Sequence, residues 1–449
     1  MFAYDSRNDC FAMLKNPFTP TEIAASPDLF FGRRDELAAA DMGIKKGSLL
    51  IQGGMGIGKS SLLAQVRLRA EGFCSDNAGN SICVVGQKDI KNVEDLARML
   101  LDGLVEIDES SSSFKLKLGP VAEYESNEVV KNFGEGRHCA TLLKILNKKF
   151  IGPLAESDKL LIIAIDEADK CPVPIARLIR AVSTHLQQEH IASVRFIIAG
   201  VNPYFKVMLD EDTGLQRFFY KKIALQPMPI EEAKELFEAK LENVRESAEE
   251  QGIDLVINPD VVWLSVRLSG GHPHVLQLLG SHMIDRENLS SDGVIDKNDM
   301  LEALRTICYD DRVYVYDQLL HSIRMEGYEE ILHRLLSMAD ASFPTRIPRE
   351  SAASLEARAL DWLIDHNILL VANESEYGFV DEFLRVRILL DRAGENPRDM
   401  ASRIISFSPV PYHRTTRDDT KTDVDYYEDV VRDFAKKFRD IEAKDPFES

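Results

Sequence analysis

"GGMGIGKSS", residues 53–61, carries Gly53, Gly58, Lys59 and Ser60 at the spacing G-x-x-x-x-G-K-S. Before it stands "SLLIQ" (48–52), a short apolar run with the length and flanks of a buried strand. After it, "SLLAQVRLRA" (61–70) has helical spacing. Strand, glycine loop and helix in that order give the pattern a physical meaning. Glycines let the backbone curl until its N–H groups converge on phosphate oxygens, and the helix N-terminus adds positive potential. Gly53, Gly54, Met55, Gly56, Ile57, Gly58, Lys59, Ser60 and Ser61 are therefore the expected phosphate-contacting set. Lys59 is expected on the outer phosphates and Ser60 as a ligand of Mg2+.

A metal-nucleotide site needs a second strand that ends in carboxylates, and "KLLIIAIDEADK" (159–170) supplies one. The apolar run Leu160 to Ile165 leads into Asp166, expected on the Mg2+ side, and Glu167, expected to polarise an attacking water. No Asn-Lys-x-Asp guanine-reading motif follows, so ATP is preferred over GTP. "SICVVGQ" (81–87), "VRFIIAG" (194–200) and "KKIALQPM" (221–228) read as further strands, and "NVEDLARMLLDGL" (92–104) as a helix. Such alternation predicts an α/β P-loop core, a parallel sheet with helices on both faces.

Composition bounds the partners. The 449 residues are 45% hydrophobic and 29% charged, ordinary for folded modules, and too many for one ordinary core. No apolar run approaches a membrane span, and "MFAYDSRNDC" (1–10) lacks the build of a signal peptide. Cys10, Cys74, Cys83, Cys139, Cys171 and Cys308 are scattered without a C-x-x-C pair, so a reducing cytoplasm fits best. A formal net charge of −20 counts against a dedicated nucleic-acid binder, because phosphate neutralisation supplies most of such affinity.

Ahead of the loop, Phe30-Phe31-Gly32-Arg33-Arg34-Asp35-Glu36-Leu37 resembles the hydrophobic-Gly-Arg-x-x-Glu box of two related ATPase groups. These are the STAND signal-transduction ATPases and the origin-recognition branch of AAA+ proteins. The resemblance spans roughly residues 17 to 392 and implies that Phe31, Gly32 and Arg33 lie beside the adenine. It places Asn202, at the end of "RFIIAG", in the sensor-1 position that reads the terminal phosphate; Asn-Pro also starts a turn unaided. Arg217 falls where AAA+ proteins hold an arginine finger for a neighbouring subunit, or is a surface arginine flanking Phe218 and Phe219. Gly271-His272-Pro273 resembles the Gly-x-Pro motif of STAND lids, whose proline packs near the adenine. No sensor-2 arginine stands between 273 and 285, which favours the STAND-like branch.

These signals divide the chain into an N-terminal segment (1–16), an ATPase core (17–228) with a hairpin inserted at about 110–126, an all-α helical lid (229–325), a winged-helix domain (326–395) and a polar linker with a C-terminal helix (396–449). The winged-helix stretch holds seven arginines, no lysine and fourteen acidic residues, a net of −7. Its candidate recognition helix, 351–366, sets Arg358 against Glu356, Asp361 and Asp365, a surface that repels a duplex. Packing and switching is the expected role, as in STAND proteins, where a Met-His-Asp motif contacts ADP. Phe379-Val380-Asp381 takes that place here, with valine for histidine. The C-terminal helix is either a docking helix or a solvated end. The expected function is an ATP-hydrolysing switch that acts on a protein partner or oligomerises. The alternative is a DNA-associated AAA+ ATPase of the initiator or transposition-regulator type.

Overall fold

The computed structural model describes residues 13–70, 80–108, 113–117, 123–147, 160–339 and 345–392. The C-terminal helix expected after 396 and most of the N-terminal segment lie outside them. Contacts gather the chain into two compact units. One is Ile23–Gln226 with Asp365–Asn367; the other is Met1–Glu22, Pro227–Ile364 and Ile368–Ser449. From the sequence, boundaries are expected at 16/17 and 228/229.

The first unit begins with α1 (Arg34–Ile44), β1 (Ser48–Gln52), α2 (Lys59–Ala70), β2 (Asn80–Val85) and α3 (Val93–Leu104). Asn92 caps α3 by accepting from Glu94 N and Asp95 N. Next come β3 (Val105–Asp108), β4 (Ser113–Leu116) and β5 (Glu123–Glu125), then α4 (Asn127–Gly134), α5 (His138–Ile145) and β6 (Leu161–Asp166). The unit closes with α6 (Pro172–Gln188), β7 (Val194–Gly200), α7 (Asn202–Glu211) and β8 (Phe219–Ala224). The inserted hairpin is a three-stranded antiparallel sheet, because the chain extends into β3 directly from α3. The last core strand starts two residues earlier than the apolar run indicated.

The five-stranded sheet has the order β2-β6-β7-β1-β8, every pair parallel. Alternation along its strands feeds two cores. Ile163 and Ile165 of β6, with Phe196 and Ile198 of β7, pack among side chains of α3, α5 and α6 such as Leu100, Leu142 and Ile179. Ile162, Ala164, Ile197 and Ala199 point the other way, among Ala40 of α1 and Leu62 of α2. A sheet buried on both faces explains why these strands read as continuous apolar runs.

The second unit contains α8 (Ile230–Glu250), β9 (Val256–Ile257), α9 (Pro259–Leu268), α10 (Pro273–Ser290), β10 (Val294–Ile295), α11 (Lys297–Thr306) and α12 (Val313–Met325). Residues 14–19 pack with these lid helices. Phe18 lies 5.4 Å from the Phe237 ring, and Gly280 leaves the room that its ring occupies. After the lid come α13 (Glu329–Met338), β11 (Ile347–Pro348), α14 (Arg349–Ala352), α15 (Ala357–Asp365), β12 (Leu369–Val371), β13 (Glu376–Phe379) and α16 (Glu382–Arg392). The small antiparallel sheet β11-β13-β12 and its helices form the winged-helix arrangement. The expected recognition helix is broken: α14 ends at Ala352, and α15 begins at Ala357.

Candidate nucleotide site

Parallel strands carry all their C-terminal ends to one edge of the sheet. Gln52, the last residue of β1, pairs with Gly200 of β7, and Val85 of β2 pairs with Asp166 of β6. The loop 53–58, the Asp166–Glu167 pair and the start of α7 at Asn202 therefore share that edge, where ligands of open α/β sheets bind.

The loop depends on its glycines. Gly56 and Gly58 have φ of 74° and 99°, a region that L side chains avoid. A Cβ on Gly53 would lie 2.7 Å from Cγ2 of Ile57, whose fully buried side chain anchors the loop. Met55, at the loop crest, is exposed. Lys59 opens α2, and its Nζ donates to Gly54 O at 2.7 Å. Burial lowers its pKa, while Asp169, Asp166 and Glu167 pull it back up. The first turn of α2 also presents backbone N–H groups that no intrahelical carbonyl can satisfy.

The Phe30–Leu37 box is tied to this loop. Arg33 sits in the left-handed region, φ 57°, just ahead of α1 and after Gly32 at φ 65°. Its buried guanidinium reaches Glu36 Oε1 at 2.9 Å and the Ile57 carbonyl at 3.0 Å. Phe31 is half-buried beside it. Helix α2 holds the preceding strand of chain: Ala24 N donates to Ser61 Oγ, and Gln65 Nε2 donates to Ala24 O and Ser26 O. The Ser61 hydroxyl is thus engaged with the chain ahead of α1.

Asp166 is buried, and its Oδ1 accepts from Glu167 N at 2.8 Å. Its Oδ2 accepts no hydrogen bond among the described residues, which fits a carboxylate holding a hydrated cation. Ser60 adds a second hard oxygen, so the pair suits Mg2+ bound with phosphates. Among the described residues no group of three or more His, Cys, Asp and Glu forms a metal cage. Glu167 is exposed and left-handed, φ 46°, so its side chain leaves the strand direction towards solvent.

Two residues that sequence spacing did not single out belong to this edge. Gly86 N donates to Asp166 O at 2.8 Å, and a Cβ there would meet Glu167 O at 2.3 Å. Asp169 accepts from Val201 N through Oδ1 at 3.1 Å. A glycine directly after an apolar strand, and a third acid in "DEAD", were the only available signals.

The remaining expected residues are placed as follows. Asn202 opens α7; its side chain lies outside the described residues. Arg217 is exposed in the turn before β8, its guanidinium 5.0 Å from the Phe218 ring. In the other unit, Pro273 is the first residue of α10, after Gly271 at φ 79°, whose carbonyl accepts from Met228 N at 2.8 Å. Asp381 pairs with Arg312 Nη2 at 3.0 Å, accepts from Tyr316 Oη at 3.2 Å and caps α16 through Phe383 N at 3.0 Å. Burial would raise its carboxyl; Arg312 and His272 outweigh that and hold it below the usual range.

This architecture has solved counterparts. A Walker-type ATPase of Pyrococcus abyssi is similar over 83% of this chain and 99% of that one, at 16% identity and a TM-score of 0.56. The chain has the P-loop NTPase fold. Two further structures are less similar. The ORC2 protein of Aeropyrum pernix covers 86% of this chain and 97% of its own, at 10% identity and TM-score 0.47. Cdc6p of Pyrobaculum aerophilum covers 81% and 94%, at 12% identity and TM-score 0.42. No protein-family model and no curated protein matches the sequence. No described helix is long and apolar enough to cross a membrane.

Proposed function

We propose that this chain is an ATP-binding and ATP-hydrolysing switch of the AAA+/STAND type, acting on a protein partner. The observation that carries the reading is the meeting, at one sheet edge, of a left-handed glycine loop with Lys59 and a strand ending in Asp166 and Glu167. Loop and helix N–H groups cradle the phosphates, Lys59 exchanges its Gly54 carbonyl for phosphate oxygens, and Ser60 and Asp166 hold Mg2+. The ion, when bound, neutralises developing charge on the phosphates. Glu167 takes the proton from the attacking water and orients it.

ATP is favoured over GTP because the sequence has no guanine-reading motif. A protein partner fits better than nucleic acid, since the whole chain carries −20 and the winged-helix stretch carries net negative charge as well. The commitment of Asp381 to Arg312 and Tyr316 supports a winged helix that packs on the lid. Arg217, exposed ahead of β8, is the group available to complete a neighbour's site if copies assemble.

Phosphate release by the parent and by Glu167→Gln tests this reading. The variant should bind MgATP as the parent does and lose most turnover, because the amide cannot accept the proton. Parent-level hydrolysis by Glu167→Gln would refute the assignment of the base.

A further inference from the structure

Asp169 sits outside the usual pairing of metal carboxylate and base, yet its side chain reaches from one strand end to the next. It lies in the tight turn Ala168–Lys170 that follows left-handed Glu167, a turn closed by Lys170 N donating to Glu167 O at 2.9 Å. From there its Oδ1 reaches across to β7 and accepts from Val201 N at 3.1 Å. Val201 is the N-cap of α7 and its side chain caps nothing; the Asp169 carboxylate instead satisfies the amide of the N-cap residue itself, the donor that an N3 carboxylate takes in a capping box. The negative charge also suits the positive end of that helix.

We propose that Asp169 is a positioning residue for ATP hydrolysis, fixing the tip of β7 to the turn that carries Glu167. The proposal rests on the reading of this edge as a hydrolytic site. Its physical content is a single rigid link. The chain leaves β7 at Gly200, turns at Val201 and starts α7 at Asn202, and the only described side chain that accepts from the Val201 amide is Asp169. With that bond made, the residue expected to read the terminal phosphate and the residue expected to activate water keep a fixed separation. Without it, the Val201 amide loses the one described side chain that accepts from it. One side chain thus links two parts of the site, the turn that carries the base and the end of the sensor strand.

A plain helix cap would have the same geometry, so the test must separate positioning from stability. Parent, Asp169→Ala and Asp169→Asn are compared in steady-state ATP hydrolysis, thermal unfolding and amide hydrogen exchange at Val201. In Asp169→Ala the amide should lose protection and kcat should fall about 10- to 100-fold, with KM for MgATP within about threefold, as expected for misplacement without lost binding. Asp169→Asn keeps an oxygen acceptor and should restore both protection and most of kcat. The proposal is overturned if Asp169→Ala turns over like the parent. It is also overturned if kcat falls only in proportion to folded protein, or if Val201 exchanges as in the parent. A parent that shows no turnover while Val201 stays protected would refute the hydrolytic reading itself, and the proposal with it.

Discussion

The Arg33 guanidinium donates to the Ile57 carbonyl at 3.0 Å and so ties the box around the start of α1 to the buried anchor of the phosphate loop. By resemblance Arg33 was expected beside the adenine. In the fold it also braces the loop from behind, buried and paired with Glu36. Arg33→Ala should leave a buried carbonyl without its donor, costing roughly 1–3 kcal/mol of stability. Nucleotide affinity should fall more than stability alone explains, because the unbraced loop must be ordered on binding. Urea unfolding and MgADP titration of the variant measure the two effects; parent-level affinity would leave Arg33 a packing residue.

Gly86 is the second constraint. A methyl group there would press on Glu167 O at 2.3 Å, and this contact involves backbone, which cannot swing aside. Gly86→Ala should therefore displace the Glu167 turn. MgATP binding should survive, since the loop 53–60 is not touched, while turnover drops about tenfold or more. Equal turnover in the variant would show that the turn tolerates displacement.

Glu382 gives a pH signature to the second unit. Its carboxyl is buried and accepts from Thr345 N at 2.7 Å and from the Thr345 hydroxyl. Burial pushes its pKa from 4.5 up to about 7, against the pull of Arg385 and Thr345. A raised carboxyl means the folded state keeps a proton that the unfolded chain has released. This group's contribution to stability therefore falls as pH rises from 4.5 to about 7 and is level above that. Glu382→Gln has no proton to release and should lack that component. Unfolding midpoints of parent and variant at about pH 5 and about pH 8 should show the parent losing ground relative to the variant at the higher pH. A constant difference would mean that Glu382 keeps its charge state throughout.

The phosphate loop and the Asp166–Glu167 pair were legible because their chemistry demands fixed spacings within short stretches. The five core strands were legible because a sheet buried on both faces leaves continuous apolar runs. Asp169 and Gly86 were not, since their importance comes from strand order. Only the placement of β6 between β2 and β7 sets Gly86 against Glu167 and Asp169 against Val201. The insertion was read as a hairpin at about 110–126, where β4 and β5 lie; its third strand, β3, escaped reading because it follows α3 without a turn signal. Phe18 read as part of a core entry segment, yet its ring packs on Phe237, a tertiary contact that no local pattern announces.

The most direct test of the account is an MgATP titration of the parent and of Lys59→Ala. Among the described residues the Lys59 ammonium bonds only the Gly54 carbonyl, so its loss should leave the protein folded. It should also remove a charge-assisted phosphate contact, weakening MgATP about 100-fold. A folded Lys59→Ala protein that binds MgATP as tightly as the parent would contradict the assignment of residues 53–61 as the nucleotide site.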